Sequence, residues 1–124
     1  MNKVAAWLAV VTIAATSPSV AAGQAGSPIP KRALYDLAVR CFIANVKASG
    51  DRKDAGDAAK AAHYDGMAKK SYDGAYVLGD ALKFSRAQID ADFQRARREE
   101  LPAMMRDQAY FYRVVANCKA YGFM

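Results

Sequence analysis

The chain has two cysteines, Cys41 and Cys118, and they lie near opposite ends of its helix-patterned part. Each falls on the apolar side of a stretch with helical spacing. With only two present, pairing within the chain has a single possible connectivity. Closing a loop of this length restricts the unfolded chain by about 4 kcal/mol in the loop-entropy model, less any native strain. A Cys41–Cys118 disulfide therefore limits the fold more than any other feature, because it pins the first and last helices together. An intermolecular bridge and two buried free thiols are the alternatives.

A disulfide needs an oxidising compartment, and the N-terminus offers a route to one. Lys3 precedes an apolar run from Val4 to Ala15, Pro18 breaks it, and Ser19, Val20, Ala21 and Ala22 follow. This is the layout of a cleavable secretory signal over residues 1–22, with cleavage expected after Ala22 or, as a close second, Ala21. A membrane anchor needs roughly 20 apolar residues, and this core is shorter. No cysteine stands at the cleavage site to carry a lipid, and no later run is long and apolar enough to span. Residues 23–124 suit one domain, a small one that a covalent staple would help. Losing Lys3 leaves 17 basic against 12 acidic residues, a net charge of +5. Export to periplasm or medium is expected. The alanine-rich signal and the lack of Asn-x-Ser/Thr sequons fit a bacterium.

Residues 23–30 (GQAGSPIP) read as an extended lead-in, with Pro30 placed to open a helix. Leu34, Leu37, Ala38, Cys41, Ala44 and Ala48 recur at spacings of three and four, predicting a helix over 31–49 that Gly50 would cap. Asp51 to Asp57 reads as a polar turn whose aspartates cap the next helix. Residues 55–84 carry a helical period through Ala61, Ala68, Tyr72, Ala75, Tyr76 and Leu82. They also hold Gly66, Gly74 and Gly79, each unfavourable by about 1 kcal/mol in a helix interior. Either a neighbouring helix approaches those glycines or the segment breaks near Ser71–Gly74, and the break is the favoured reading. Ser85 and Gln88 form a capping box, followed by an apolar stripe of Ile89, Phe93 and Ala96. Pro102 should end that helix and open a last one from 102 to 119, stopped by Gly122. No stretch alternates with a period of two. The fold class expected is all-α, a single domain over 31–124 built as a small bundle of four to five helices.

The residues offer little to catalysis. His63 is the only histidine. It could ligate a haem with Met67, Met104 or Met105, yet no C-x-x-C-H is present, and an ordinary surface histidine is the favoured reading. Asp51, Asp54 and Asp57 lack the spacing of a calcium loop and read as helix caps. Asp90 and Asp92 point in different directions on a helix, unlike a carboxylate pair facing across a cleft. No nucleophile elbow or phosphate-binding glycine loop occurs. No catalytic residue, metal ligand or cofactor is assigned.

Binding is the better prospect. Lys69-Lys70 and Arg95, Arg97 and Arg98 could meet anionic groups, although Glu99 and Glu100 dilute the field. Tyr110, Phe111 and Tyr112 are consecutive, so on a helix they cannot all face one core, and tyrosine suits half-wet positions. Tyr110, Tyr112, Arg95, Arg97 and Arg98 are the candidate binding patch. The expected role is a non-catalytic module binding another envelope protein or an anionic envelope component, with no nucleic acid and no lasting membrane anchor. A ligand carrier (haem, for example) or small enzyme with a site inside the bundle is one alternative. A stress-protective, chaperone-like protein is another.

Overall fold

The computed structural model describes residues 29–124, so the signal segment 1–22 and residues 23–28 of the lead-in lie outside the described residues. Four helices follow in order, α1 (Lys31–Asp54), α2 (Ala58–Ala81), α3 (Arg86–Arg106) and α4 (Gln108–Ala120), with no strand among the described residues. The all-α bundle is thus observed, at the lower helix count expected. Pro30 stands at the N-cap of α1, and its carbonyl accepts from the Leu34 N–H.

α1 is the central helix and packs against the other three. It buries two stripes. Tyr35, Ala38, Asn45 and Ser49 face α2, while Leu37, Cys41, Ala44 and Ala48 complete the core on the other side. The facing seam of α2 is made of small residues, Ala61, Ala68, Ser71, Ala75 and Gly79. Small side chains let two backbones come close, so α1 and α2 form the most extensive pairing in the molecule. Ile89, Phe93, Ala96 and Met104 bring α3 onto the core, and Phe111, Val114 and Cys118 bring α4. Cys41 and Cys118 are joined, with Cα atoms 5.6 Å apart, so the disulfide links the first and last of these helices.

Three helix ends close in the same way. The N–H two residues past the cap reaches back to the carbonyl five positions earlier, a Schellman turn. These bonds are Asp57 to Arg52 (2.8 Å), Phe84 to Gly79 (2.9 Å) and Phe123 to Cys118 (2.8 Å). The residue before each has positive φ. Gly56 and Gly122 adopt it freely, whereas Lys83 adopts it at φ 64° against its side chain. The last turn throws Phe123 back into the gap between α1 and α2. Its carbonyl accepts from Asn45 Nδ2 (2.7 Å) and Ser71 Oγ (3.2 Å), both fully buried, and its ring lies against Gly74.

The structure corrects several expected boundaries. Gly50 does not cap α1. The helix runs on to Asp54 because Ala48 and Ser49 are buried against its neighbours, and Gly56 supplies the left-handed cap. The polar turn shrinks to residues 55–57, where Asp57 caps α2 by accepting from the Lys60 N–H. No break occurs at Ser71–Gly74: α2 is continuous, and Gly74 and Gly79 are points of close approach instead. Pro102 neither ends α3 nor opens α4. It removes one helical rung, to the carbonyl of exposed Arg98, and burial of Met104 one turn later holds the helix to Arg106. The chain turns at Asp107, which is extended (φ −124°, ψ 95°) and whose carboxylate accepts from the Tyr110 N–H. The Ser85 cap at the start of α3 is as expected, its Oγ accepting from the Gln88 N–H at 3.1 Å, without the return bond from the Gln88 side chain.

Candidate functional site

Among the depressions that form where helices part, three include residues of α1. The first, about 310 Å³, lies between α1 and α3 and is strongly charged. At its base the hydroxyl of buried Tyr35 donates to Asp92 (2.7 Å), whose other oxygen accepts from Arg95 (2.8 Å). Asp92 is only 7% exposed, so these two donors replace the water it has lost. Burial and then the Asp92 carboxylate push the Tyr35 hydroxyl well above its usual pKa of 10. Further along, Glu100 accepts from the Tyr110 hydroxyl and lies 3.5 Å from Arg40. Burial, then this hydrogen bond, also raises Tyr110. Arg32 pairs with Asp36 on the rim. Apart from the buried Arg40 Nε, which lacks a hydrogen-bond partner, the paired groups of this cleft behave as a structural polar network.

The second depression, about 290 Å³, is aromatic. α2 and α3 touch only sparingly, and rings fill the gap. Phe42 of α1 forms the floor with Phe93 of α3, edge to face at 5.2 Å. Tyr72 lies 4.9 Å from both Phe93 and Tyr76, and Tyr76 stacks parallel to Phe93. The α3 wall carries Asp90, Gln94 and Arg97, and Arg86, spaced to share their side of α3, lines an adjoining depression with Tyr72 and Tyr76. Arg86 sits over the Tyr76 ring at 5.4 Å. The Tyr76 hydroxyl donates to Asp90, and this bond, followed by that to Tyr72, raises its pKa. Among the described residues, neither Arg86 nor Arg97 has a carboxylate within 4 Å. The groove thus offers ring faces, the Arg97 guanidinium and a planar acid and amide, with Arg86 over the Tyr76 ring at its end.

The third depression, about 330 Å³, is bounded by α1, α2 and α4. Its lining mixes apolar Phe111, Val115 and Met124 with cationic Lys47, Arg52 and Lys119, the last one turn beyond Val115 on α4. The Lys47 ammonium lies 4.4 Å over the Phe111 ring and 2.7 Å from Asp51.

The five residues of the expected patch are distributed over these surfaces. Arg95 lines the charged cleft, Arg97 the aromatic groove and Tyr112, 58% exposed, the third depression, while Arg98 is exposed on α3 and lines none of the three. Tyr110 is half-buried, its ring beneath Arg113. Phe111 alone of the consecutive aromatics is buried, as helix geometry demands. Lys69 pairs with Asp73, which raises the pKa of the lysine. His63 is exposed beside Tyr64, whereas Met104 is fully buried and Met105 exposed. Among the described residues, no three His, Cys, Asp or Glu side chains lie close enough to share a metal ion. Asp51 and Asp57 are engaged with Lys47 and the α2 N-terminus.

The aromatic groove escaped the sequence because Tyr72 and Tyr76 read there only as part of a helical period. Their i, i+4 spacing was the available signal. Phe93 gave none, since its stripe predicted only burial.

No family model matches the chain, and neither do curated proteins or solved structures. Among the described residues, no helix is long and apolar enough to cross a membrane.

Proposed function

We propose that this chain is an exported, disulfide-pinned binding module of a bacterial periplasm or envelope, docking a partner protein through the aromatic groove between α2 and α3. One observation carries the reading. Tyr72 and Tyr76 lie at the surface over a Phe42–Phe93 floor, with Arg86 and Arg97 lacking carboxylate partners beside them. Tyrosine and arginine are the residues that most often dominate binding energy at protein interfaces, and they do so in pockets that exclude water. The disulfide fits an oxidising compartment, and residues 1–22 supply the matching export signal.

Two measurements test this. The intact mass of protein recovered after export should correspond to about residues 23–124, lighter by two hydrogens. An uncleaved or reduced chain overturns the compartment. A photocrosslinking residue at Tyr72 should then give a discrete protein adduct in the native host that Arg97→Glu suppresses. The same residue at exposed Ala62 should give none. Equal labelling at both positions, or none at Tyr72, overturns the groove as the docking surface. A small molecule found by native mass would favour the carrier reading.

A further inference from the structure

We infer that the depression bounded by α1, α2 and α4 is a binding site for a single-chain carboxylate amphiphile of the fatty-acid type. The inference is independent of the aromatic groove and rests on three observations. Part of the lining is apolar, Val115 and Met124 beside the largely buried Phe111. The rim is cationic: Lys47, Arg52 and Lys119 line it against one carboxylate side chain, Asp51, which lies 2.7 Å from Lys47. Among the described residues, Arg52 and Lys119 therefore have no carboxylate within 4 Å, and Arg52 is already half-buried. An apolar trough edged by two unengaged cations is complementary to a molecule with an apolar tail and one anionic head.

Size selects among such molecules. A volume of about 330 Å³ lies at the small end of ligand pockets. A partner helix, roughly 10–12 Å across with its side chains, does not fit inside it, and a two-tailed phospholipid would leave one chain in water. A single alkyl chain along Val115 and Met124 suits it. The Arg52 guanidinium presents the planar fork that carboxylates accept in bidentate fashion, and Lys119 adds a second charge. The Lys47 ammonium, neutralised by Asp51, covers a face of the buried Phe111 ring, so the apolar surface left to a tail is that of Val115 and Met124 beside it.

The test titrates the full exported chain with dodecanoate below its micelle concentration, by calorimetry and by amide chemical shifts. Saturable one-to-one binding is expected, with shifts centred on Phe111, Val115 and the C-terminal turn. Arg52→Gln should weaken it about tenfold, the scale of one charge-assisted contact. Val115→Trp, which fills the trough, should abolish it. Dodecanol, with the same tail and no charge, should bind at least about tenfold more weakly for the same reason. Non-saturable uptake, equal affinity for dodecanol or undiminished binding by Arg52→Gln overturns the proposal. So does binding to phosphatidylglycerol vesicles with none to dodecanoate. Should Val115→Trp fail to fold, as judged by circular dichroism, the Arg52→Gln and dodecanol comparisons still decide.

Discussion

Replacing the glycines of α2 by alanine, one at a time, separates helix propensity from packing within a single element. At Gly66 a Cβ meets nothing within 4 Å, so Gly66→Ala should stabilise by the full propensity difference, about 1 kcal/mol. At Gly74 a Cβ would lie 3.2 Å from the edge of the Phe123 ring, a contact that a small ring movement relieves, and the net effect should be near zero. At Gly79 it would lie 2.5 Å from Ile89 Cδ1, 2.9 Å from Ile89 Cγ1 and 3.3 Å from the Tyr35 ring. Ile89 is fully buried and cannot swing away without disturbing its neighbours. Overpacking of that kind costs about 1–3 kcal/mol, which exceeds the gain in propensity. Gly79→Ala should therefore destabilise by about 1 kcal/mol, placing it about 2 kcal/mol below Gly66→Ala. Urea melts followed by circular dichroism, with the disulfide intact, resolve that gap. The thermal midpoints should separate by roughly 8–16 °C, at about 4–8 °C per kcal/mol for a domain of this size. A double-mutant cycle with Ile89→Val sharpens the test, because removing Cδ1 should be less harmful in the Gly79→Ala background than in the parent. Equal stabilisation by Gly66→Ala and Gly79→Ala, with no coupling to Ile89, would refute the close-approach account and restore the alternative of a weakened, breakable α2.

Three further expectations can be checked alongside it. Lys83→Gly should stabilise by up to about 1 kcal/mol, since Lys83 holds positive φ at a Schellman position that glycine occupies without strain; an unchanged urea midpoint would show that no strain is relieved. Reducing the Cys41–Cys118 bond, which closes a loop over 77 positions, should lower stability by about 4 kcal/mol in the loop-entropy model, and an unaltered melting midpoint would contradict it. Tyr35, Tyr76 and Tyr110 all have pKa values raised in the fold. Their protonated forms are favoured by folding, so this contribution is complete below the ordinary tyrosine pKa of about 10 and is lost as pH rises towards the folded values. Absorbance at 295 nm should show these phenols titrating later than in urea, and Tyr35→Phe should remove one of the delayed groups; superimposable folded and unfolded titrations would exclude the effect.

The local signals in the sequence were reliable where one residue type satisfies one backbone need. Ser85 with Gln88 announced the start of α3, and Gly122 the end of α4, because capping depends on neighbours within a few positions. The apolar periods identified α1 and the Ile89, Phe93 and Ala96 stripe for a similar reason. Errors arose where propensity and tertiary burial compete. Gly50 and Pro102 are unfavourable inside a helix, by about 1 and about 3 kcal/mol, yet the helices continue through them with Ala48, Ser49 and Met104 buried. Phe123 gave no signal at all, although its carbonyl engages Asn45 and Ser71 from two other helices.

Composition, periodicity and two cysteines were sufficient to determine an all-α bundle tied between its first and last helices, because these depend on which residues are present and at what spacing. The candidate sites depend on how far the helices stand apart. Small residues draw α1 and α2 together, whereas rings hold α2 and α3 open over Phe42, and only the assembled packing shows which aromatic and basic side chains then share a groove. Tyr72 and Arg97 are 25 positions apart in the chain and become neighbours only through that packing. Spacing along one helix defines its own face, but the face of the next helix is set by contacts distant in sequence.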